Sequence, residues 1–180
     1  MTDRWDELFA DVAGRLAAER RAELEDEVAE RVRIERARIH LADRLDAHRG
    51  AGLALETAGG GTVQGVVREV GQDWLRLGAR GGDHLVGLWA ITGLSGLGTR
   101  ARPAGEELAR RVTWVTVMRA LSRDRVPVRV ANTAGGLVEG RVERVLADHL
   151  DLAVGPSPRE MRGVRTLPFS AIAWVGGPPG

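Results

Sequence analysis

The chain has 180 residues and no cysteine. Disulfide staples and Cys-ligated zinc are therefore excluded, and a reducing, cytoplasmic compartment is the natural expectation. Lysine is also missing: all 26 basic residues are arginine, which reads as genome composition rather than as selection for bidentate recognition. No run is apolar for long enough to span a bilayer. The first ten residues, with Asp3, Asp6 and Glu7, are too acidic for a signal peptide, so no membrane is expected among the partners. Between Asp3 and His48 there is no proline and a single glycine, Gly14, so little in this stretch would interrupt a helix.

What the chain does contain is one unit twice. Val63 to Leu77 recurs as Val138 to Leu152, and the pairs Gly65/Gly140, Val70/Val145, Asp73/Asp148 and Leu77/Leu152 are all 75 positions apart. Upstream, Gly60-Gly61 matches Gly135-Gly136, and Leu53 and Leu55 match Val128 and Val130. Downstream, Ala90-Ile91 reappears as Ala171-Ile172 at a spacing of 81, which puts six extra residues in the second copy around Pro156 to Arg165. A length change confined to one hairpin is how duplicated units usually diverge.

The proline-free stretch has apolar residues at helical spacing: Trp5, Leu8, Phe9, Val12, Leu16, Leu24, Val28, Val32, Leu41 and Leu45. A continuous helix over it would be on the order of 65 Å long, more than a small domain is wide. Its first half is expected to pair with another helix as a coiled-coil or helical-hairpin homodimer, and Ile34 to Leu45 to pack on the first repeat. A second helix is predicted over Glu106 to Ser122, with Leu108, Val112, Val115, Met118 and Leu121 on one side.

Strands follow from alternation and turn residues. Leu53 and Leu55 mark the first, the glycines at 59 to 61 turn it, and Val63, Gly65 and Val67 share a face before the phase slips to Val70. The second copy slips at the same place, between Val142 and Val145, as a bulge in one long strand would require. Leu75 and Leu77 start a third strand, and the run from His84 to Leu94 supplies a fourth and a fifth.

An N-terminal helix, a glycine turn, a bent strand with a central glycine and the closing run His84-Leu85-Val86-Gly87-Leu88-Trp89-Ala90-Ile91-Thr92-Gly93-Leu94 together resemble the Sm-like fold, including the bacterial Hfq family. The whole chain also resembles a group of uncharacterised actinobacterial proteins. The resemblance implies an α+β fold: a long N-terminal helix followed by two five-stranded Sm-like (SH3-like) β-barrels, each preceded by a helix. The segments would be 1–50 helical, 51–98 first barrel, 99–125 linker and helix, 126–176 second barrel and 177–180 tail. It further implies RNA binding. The family's Tyr-Lys-His signature, however, falls on Gly87, Leu88 and Trp89, and its base-stacking aromatic on Asp73 and Asp148.

Catalysis finds no support in the residues. His40, His48, His84 and His149 lack metal-ligand spacing. Ser95, Ser122, Ser157 and Ser170 sit in no Gly-x-Ser-x-Gly elbow. Gly59-Gly60-Gly61 is not followed by the Gly-Lys-Ser/Thr of a phosphate loop and reads as a hairpin turn. Neither an enzyme nor a cofactor is expected.

Two functions are open. In the first, the protein binds nucleic acid, RNA above all, through Arg68, Arg76, Arg80, Arg141, Arg144, Arg159, Arg162 and Arg165, with exposed tryptophan available for base stacking. In the second, it is an interaction or assembly adaptor: the barrels are platforms, and the N-terminal helix, with Trp5, Leu8 and Phe9 on one face, engages a second copy or another protein. Pro168 removes a backbone donor from the last strand region and blunts that edge, which favours association through the helix over ring closure.

Overall fold

The computed structural model of the chain describes residues 3–102, 108–155 and 162–177, with side chains in the first helix described at 14–15, 20–21 and from 23 onward. The chain divides into two compact units, residues 1–39 and 40–180. Among the described residues no helix is long and apolar enough to cross a membrane.

The first unit is helix α1, Asp3–Ala37. Its exposed surface is laced by pairs at helical spacing, Arg31–Glu27 at 2.8 Å and Arg33–Glu30 at 2.9 Å. Such exposed pairs add a few tenths of a kcal/mol each. The coiled-coil expectation is corrected here, since α1 is a single helix in a chain dominated by sheet. Its apolar residues explain why: Leu8, Val12, Leu16, Leu24, Val28 and Val32 recur in steps of four or eight. At 100° per residue those steps drift round the helix instead of holding the 3.5-residue seam of a coiled coil.

The second unit opens with α2, Leu41–Asp46. The Asp43 carboxylate accepts the His40 N–H at 2.9 Å, closing the first turn. The sequence expectation of one helix running to His48 therefore gives two, and Leu41, Ala42 and Leu45 of the short one pack on the first repeat. The strands of that repeat are β1 Gly52–Thr57, β2 Thr62–Val70, β3 Trp74–Ala79, β4 Gly82–Gly87 and β5 Ile91–Ser95, with a 3-10 turn over Leu88–Ala90. Helix α3, Trp114–Arg123, follows a 3-10 turn at Leu108–Arg111, so the predicted second helix is confined to its C-terminal half. The second repeat is β6 Pro127–Asn132, β7 Leu137–Val145, β8 His149–Val154, β9 Gly163–Pro168 and β10 Ile172–Gly176.

The barrel expectation is overturned by the strand order. The ten strands form one continuous antiparallel sheet, β5-β1-β2-β3-β4-β10-β6-β7-β8-β9. Neither five-stranded block closes on itself. The outer edge of β4 is spent on β10 of the other repeat, with Val86, Leu85 and His84 opposite Trp174, Val175 and Gly176, so it has no ladder to give β5. The bulges are where the repeated phase slip puts them: the register shifts between Val67 and Glu69 in β2 and between Val142 and Arg144 in β7.

Two cores lie on this sheet. Leu45, Leu55, Val67, Val70, Leu75, Leu77 and Val86 build the first, and Trp114, Met118, Leu150, Leu152 and Ile172 anchor the second. Trp74 belongs by sequence to the first repeat but packs into the second core, whereas Trp174 of the second repeat packs against the first.

The segment before α3 is tied back to the first repeat by polar contacts. Asp73 Oδ1 accepts the Trp114 N–H at 2.7 Å, and the Trp74 indole N–H donates to the Val112 carbonyl at 3.0 Å. Arg110 Nη2 meets Asp43 Oδ1 at 2.6 Å, both side chains being more than nine-tenths buried, and Arg110 Nη1 reaches the Gly71 carbonyl. Removing one member of such a pair strands the other charge. Asp43→Ala is therefore expected to cost about 3–5 kcal/mol in urea unfolding, and the double change Asp43→Ala with Arg110→Met to recover most of it.

Candidate interaction surface

Among the described residues, three exposed large apolar side chains mark α1: Leu24 at 61%, Val28 at 59% and Ile34 at 45% of full exposure. Leu24 and Val28 are one turn apart and share a face. Trp5, Leu8 and Phe9 fall in the first turns of α1, and their side chains lie outside the described residues.

The arginines assigned to nucleic acid divide into two groups. Arg76 pairs with Glu69 at 3.2 Å and Asp83 at 3.1 Å, Arg144 with Asp151 at 2.8 Å, and Arg141 with Glu143 at 2.5 Å. Arg68, Arg80, Arg162 and Arg165 are exposed and have no carboxylate partner among the described residues. Arg159 lies outside the described residues. The paired group carries a pattern invisible in residue counts. Glu69 stands opposite Arg76 across β2 and β3, and Arg144 stands opposite Asp151 across β7 and β8. These are equivalent positions of the two repeats with the signs exchanged. Opposite charges directly across a sheet stabilise it modestly, so the site is kept as a pair and not as a source of positive charge.

Among the described residues tryptophan offers little free stacking surface. Trp74 and Trp114 are buried. Trp174 is half-buried between His84, an edge-on ring at 4.8 Å, and the Arg129 guanidinium at 6.0 Å. Trp89, 40% exposed, stands edge-on to Trp114 at 5.0 Å and donates its indole N–H to the Ile172 carbonyl at 3.0 Å. It is pinned at the junction of the repeats.

The remaining sequence candidates are structural. Gly59 and Gly135 both have positive φ, +95° and +86°, and the two hairpin turns touch, so that a Cβ on Gly59 would lie 2.6 Å from the Gly135 nitrogen. Asp73 accepts the first amide of α3, whose cap is Thr113, while Asp148 accepts from His149 at 2.6 Å. His48 Nε2 accepts the Gly98 N–H at 3.0 Å. Burial, reinforced by Arg129, holds the His84 pKa below its ordinary value. Among the described residues no three His, Asp or Glu side chains gather as a metal site would require.

The free edges differ from the internal junction. Counterparts 81 positions apart put Arg165, Thr166 and Pro168 of β9 where β4 has His84, Leu85 and Gly87, and put Gly93 of β5 where β10 has Trp174. Charge, proline and a missing side chain are the usual means of keeping an edge strand from pairing. Sequence reading identified Pro168 in this role. It missed the contrast with the junction because that contrast requires knowing that β4 and β10 meet. No family model, curated protein or solved structure matches the chain.

Across the β8–β9 pair, the Thr166 hydroxyl donates to Asp151 Oδ1 at 2.7 Å. That bond first, and the Arg144 guanidinium next, hold the Asp151 carboxyl below its ordinary value against the opposing effect of burial. A carboxyl with a lowered folded pKa contributes stability that is present above its unfolded value of about 3.9 and is lost as pH falls through the folded value. In Thr166→Val the Asp151 carboxyl, followed by NMR titration, is expected to move up toward the ordinary value. The share of acid destabilisation that this carboxyl contributes below about pH 5 should then shrink, leaving a shallower dependence of unfolding free energy on pH.

Proposed function

We propose that this protein is a non-catalytic interaction module of the cytoplasm, in which the two-repeat sheet is a stable platform and α1 engages a protein partner, in the first place a second copy of the chain. The observation that carries the reading is the exposed Leu24–Val28 pair with Ile34 on α1, set against a sheet unit whose edge strands carry Arg165 and Pro168 on one side and Gly93 on the other. Covering a leucine or valine contributes about 1.5–3 kcal/mol per side chain, and this is set against the freedom that two chains lose on associating, so the pairing expected is weak and concentration-dependent. The pairing is short-range packing of one helix face, as in helix-in-groove recognition, and needs no long heptad seam.

Light scattering at increasing protein concentration tests this. The wild type is expected to exceed monomer mass, and Leu24→Asp with Val28→Asp to return it to monomer with unchanged thermal unfolding. A wild type that stays monomeric throughout would remove self-association from the reading.

One observation favours the nucleic-acid reading instead: Arg68, Arg80, Arg162 and Arg165 are exposed without described carboxylate partners. Four cations without an aromatic platform give weak, strongly salt-dependent binding at most. Fluorescence anisotropy of labelled single-stranded RNA is expected to show no saturable binding at near-physiological salt. Micromolar binding, with a salt slope that falls when these four arginines are changed to serine, would replace the adaptor reading.

A further inference from the structure

Helix α3 covers only part of the sheet on which it lies. It turns Trp114 and Met118 into the second core and presents its next row, Val117, Ala120 and Leu121, to an open groove of about 510 Å³. The facing wall is the junction of the repeats, with Leu85 from β4, Val128 from β6 and Val175 from β10. The size lies within the range of small-molecule sites, which are typically apolar with a few placed polar groups.

The charged groups here are Glu69, Arg76 and Asp83, with Thr116 on the rim. Two carboxylates share one guanidinium, through Glu69 Oε2 and Asp83 Oδ2, which leaves a net charge of about −1 at the mouth at neutral pH. Glu69 and Asp83 are half-exposed and each retains an oxygen not spent on Arg76. Arg76 Nε is buried and has no hydrogen-bond partner, so the guanidinium meets the groove through the two Nη groups that hold the carboxylates. The second repeat does not reproduce this chemistry: Arg144, Asp151 and Val164 stand at the matching positions, so the second carboxylate is missing there and the charges cancel.

We infer that the groove binds a small amphipathic amine. The apolar body lies between α3 and the sheet, and the ammonium sits against Glu69 and Asp83. An anionic head of the same shape meets the uncompensated negative charge and is disfavoured.

The test uses dansylcadaverine, which combines an apolar ring system, sulfonyl oxygens and a primary amine, with the full-length protein and energy transfer from tryptophan to dansyl as the readout. Saturable binding is expected, weakened roughly two- to fivefold by N-acetylation of the probe or by Glu69→Gln with Asp83→Asn, the range given by half-exposed ion pairs. Ala120→Phe fills the groove from α3 and should abolish binding. If that variant fails to fold, Thr116→Arg, at an exposed position of the rim, adds bulk and positive charge and should do the same. Absence of binding by the wild type, equal binding of the acetylated probe, or binding unchanged in the folded groove variant would each overturn the assignment.

Discussion

The ladder between β4 and β10 is the contact on which the sheet unit depends. Only three residue pairs are in register there, Val86–Trp174, Leu85–Val175 and His84–Gly176, but through them two repeats, each too small for a substantial core, become one body. The exchange of tryptophans follows directly. With the strands joined, Trp74 reaches the second core and Trp174 the first, so neither core is complete without the other repeat. The indole N–H of Trp74 is satisfied by Val112 and that of Trp89 by Ile172, which makes the polar ends of these rings part of the same junction.

A duplicated strand pair has in principle three uses for its outer edges: to pair with the other copy, with another molecule, or with nothing. Here one edge of each repeat pairs internally, and the other carries Gly93 on β5 or Arg165, Thr166 and Pro168 on β9. The bulky and aromatic groups of the junction, His84, Leu85, Trp89 and Trp174, have as counterparts Arg165, Thr166, Ser170 and Gly93. Before divergence, edges with identical sequences would have paired between molecules as readily as within one. The present residues separate the two cases, with apolar contact where pairing is intramolecular and charge, proline and glycine where it would be intermolecular. This contrast is why association is assigned to α1 and not to the sheet.

The repeat, the strand positions, the bulges and the hairpin glycines were legible because each is written locally: alternation, a phase slip, a Gly-Gly turn. The interruption near Ile39 was not, because it depends on Asp43 turning back to the His40 amide, which a hydrophobic pattern does not encode. Barrel closure misled for a related reason. Five strands of suitable length and twist are compatible both with closing on themselves and with joining a neighbour, and the choice between β5 and β10 as the partner of β4 is made by side chains more than eighty residues apart in the chain. The groove beside α3 escaped for the same reason, since its two walls come from different repeats.

Arginine count was the least informative signal, and the exchanged pairs show why. If Glu69–Arg76 and Arg144–Asp151 served a cationic surface, the arginine would be expected on the same strand in both copies. Instead the two positions have exchanged signs together, so what is kept is their complementarity across the strand pair. A residue whose charge is cancelled by its neighbour steers little at a distance longer than the pair itself. The informative charge is the one left over: in the first repeat two carboxylates, Glu69 and Asp83, share the single guanidinium of Arg76, and Asp83, whose counterpart is Val164, makes the excess at an apolar groove.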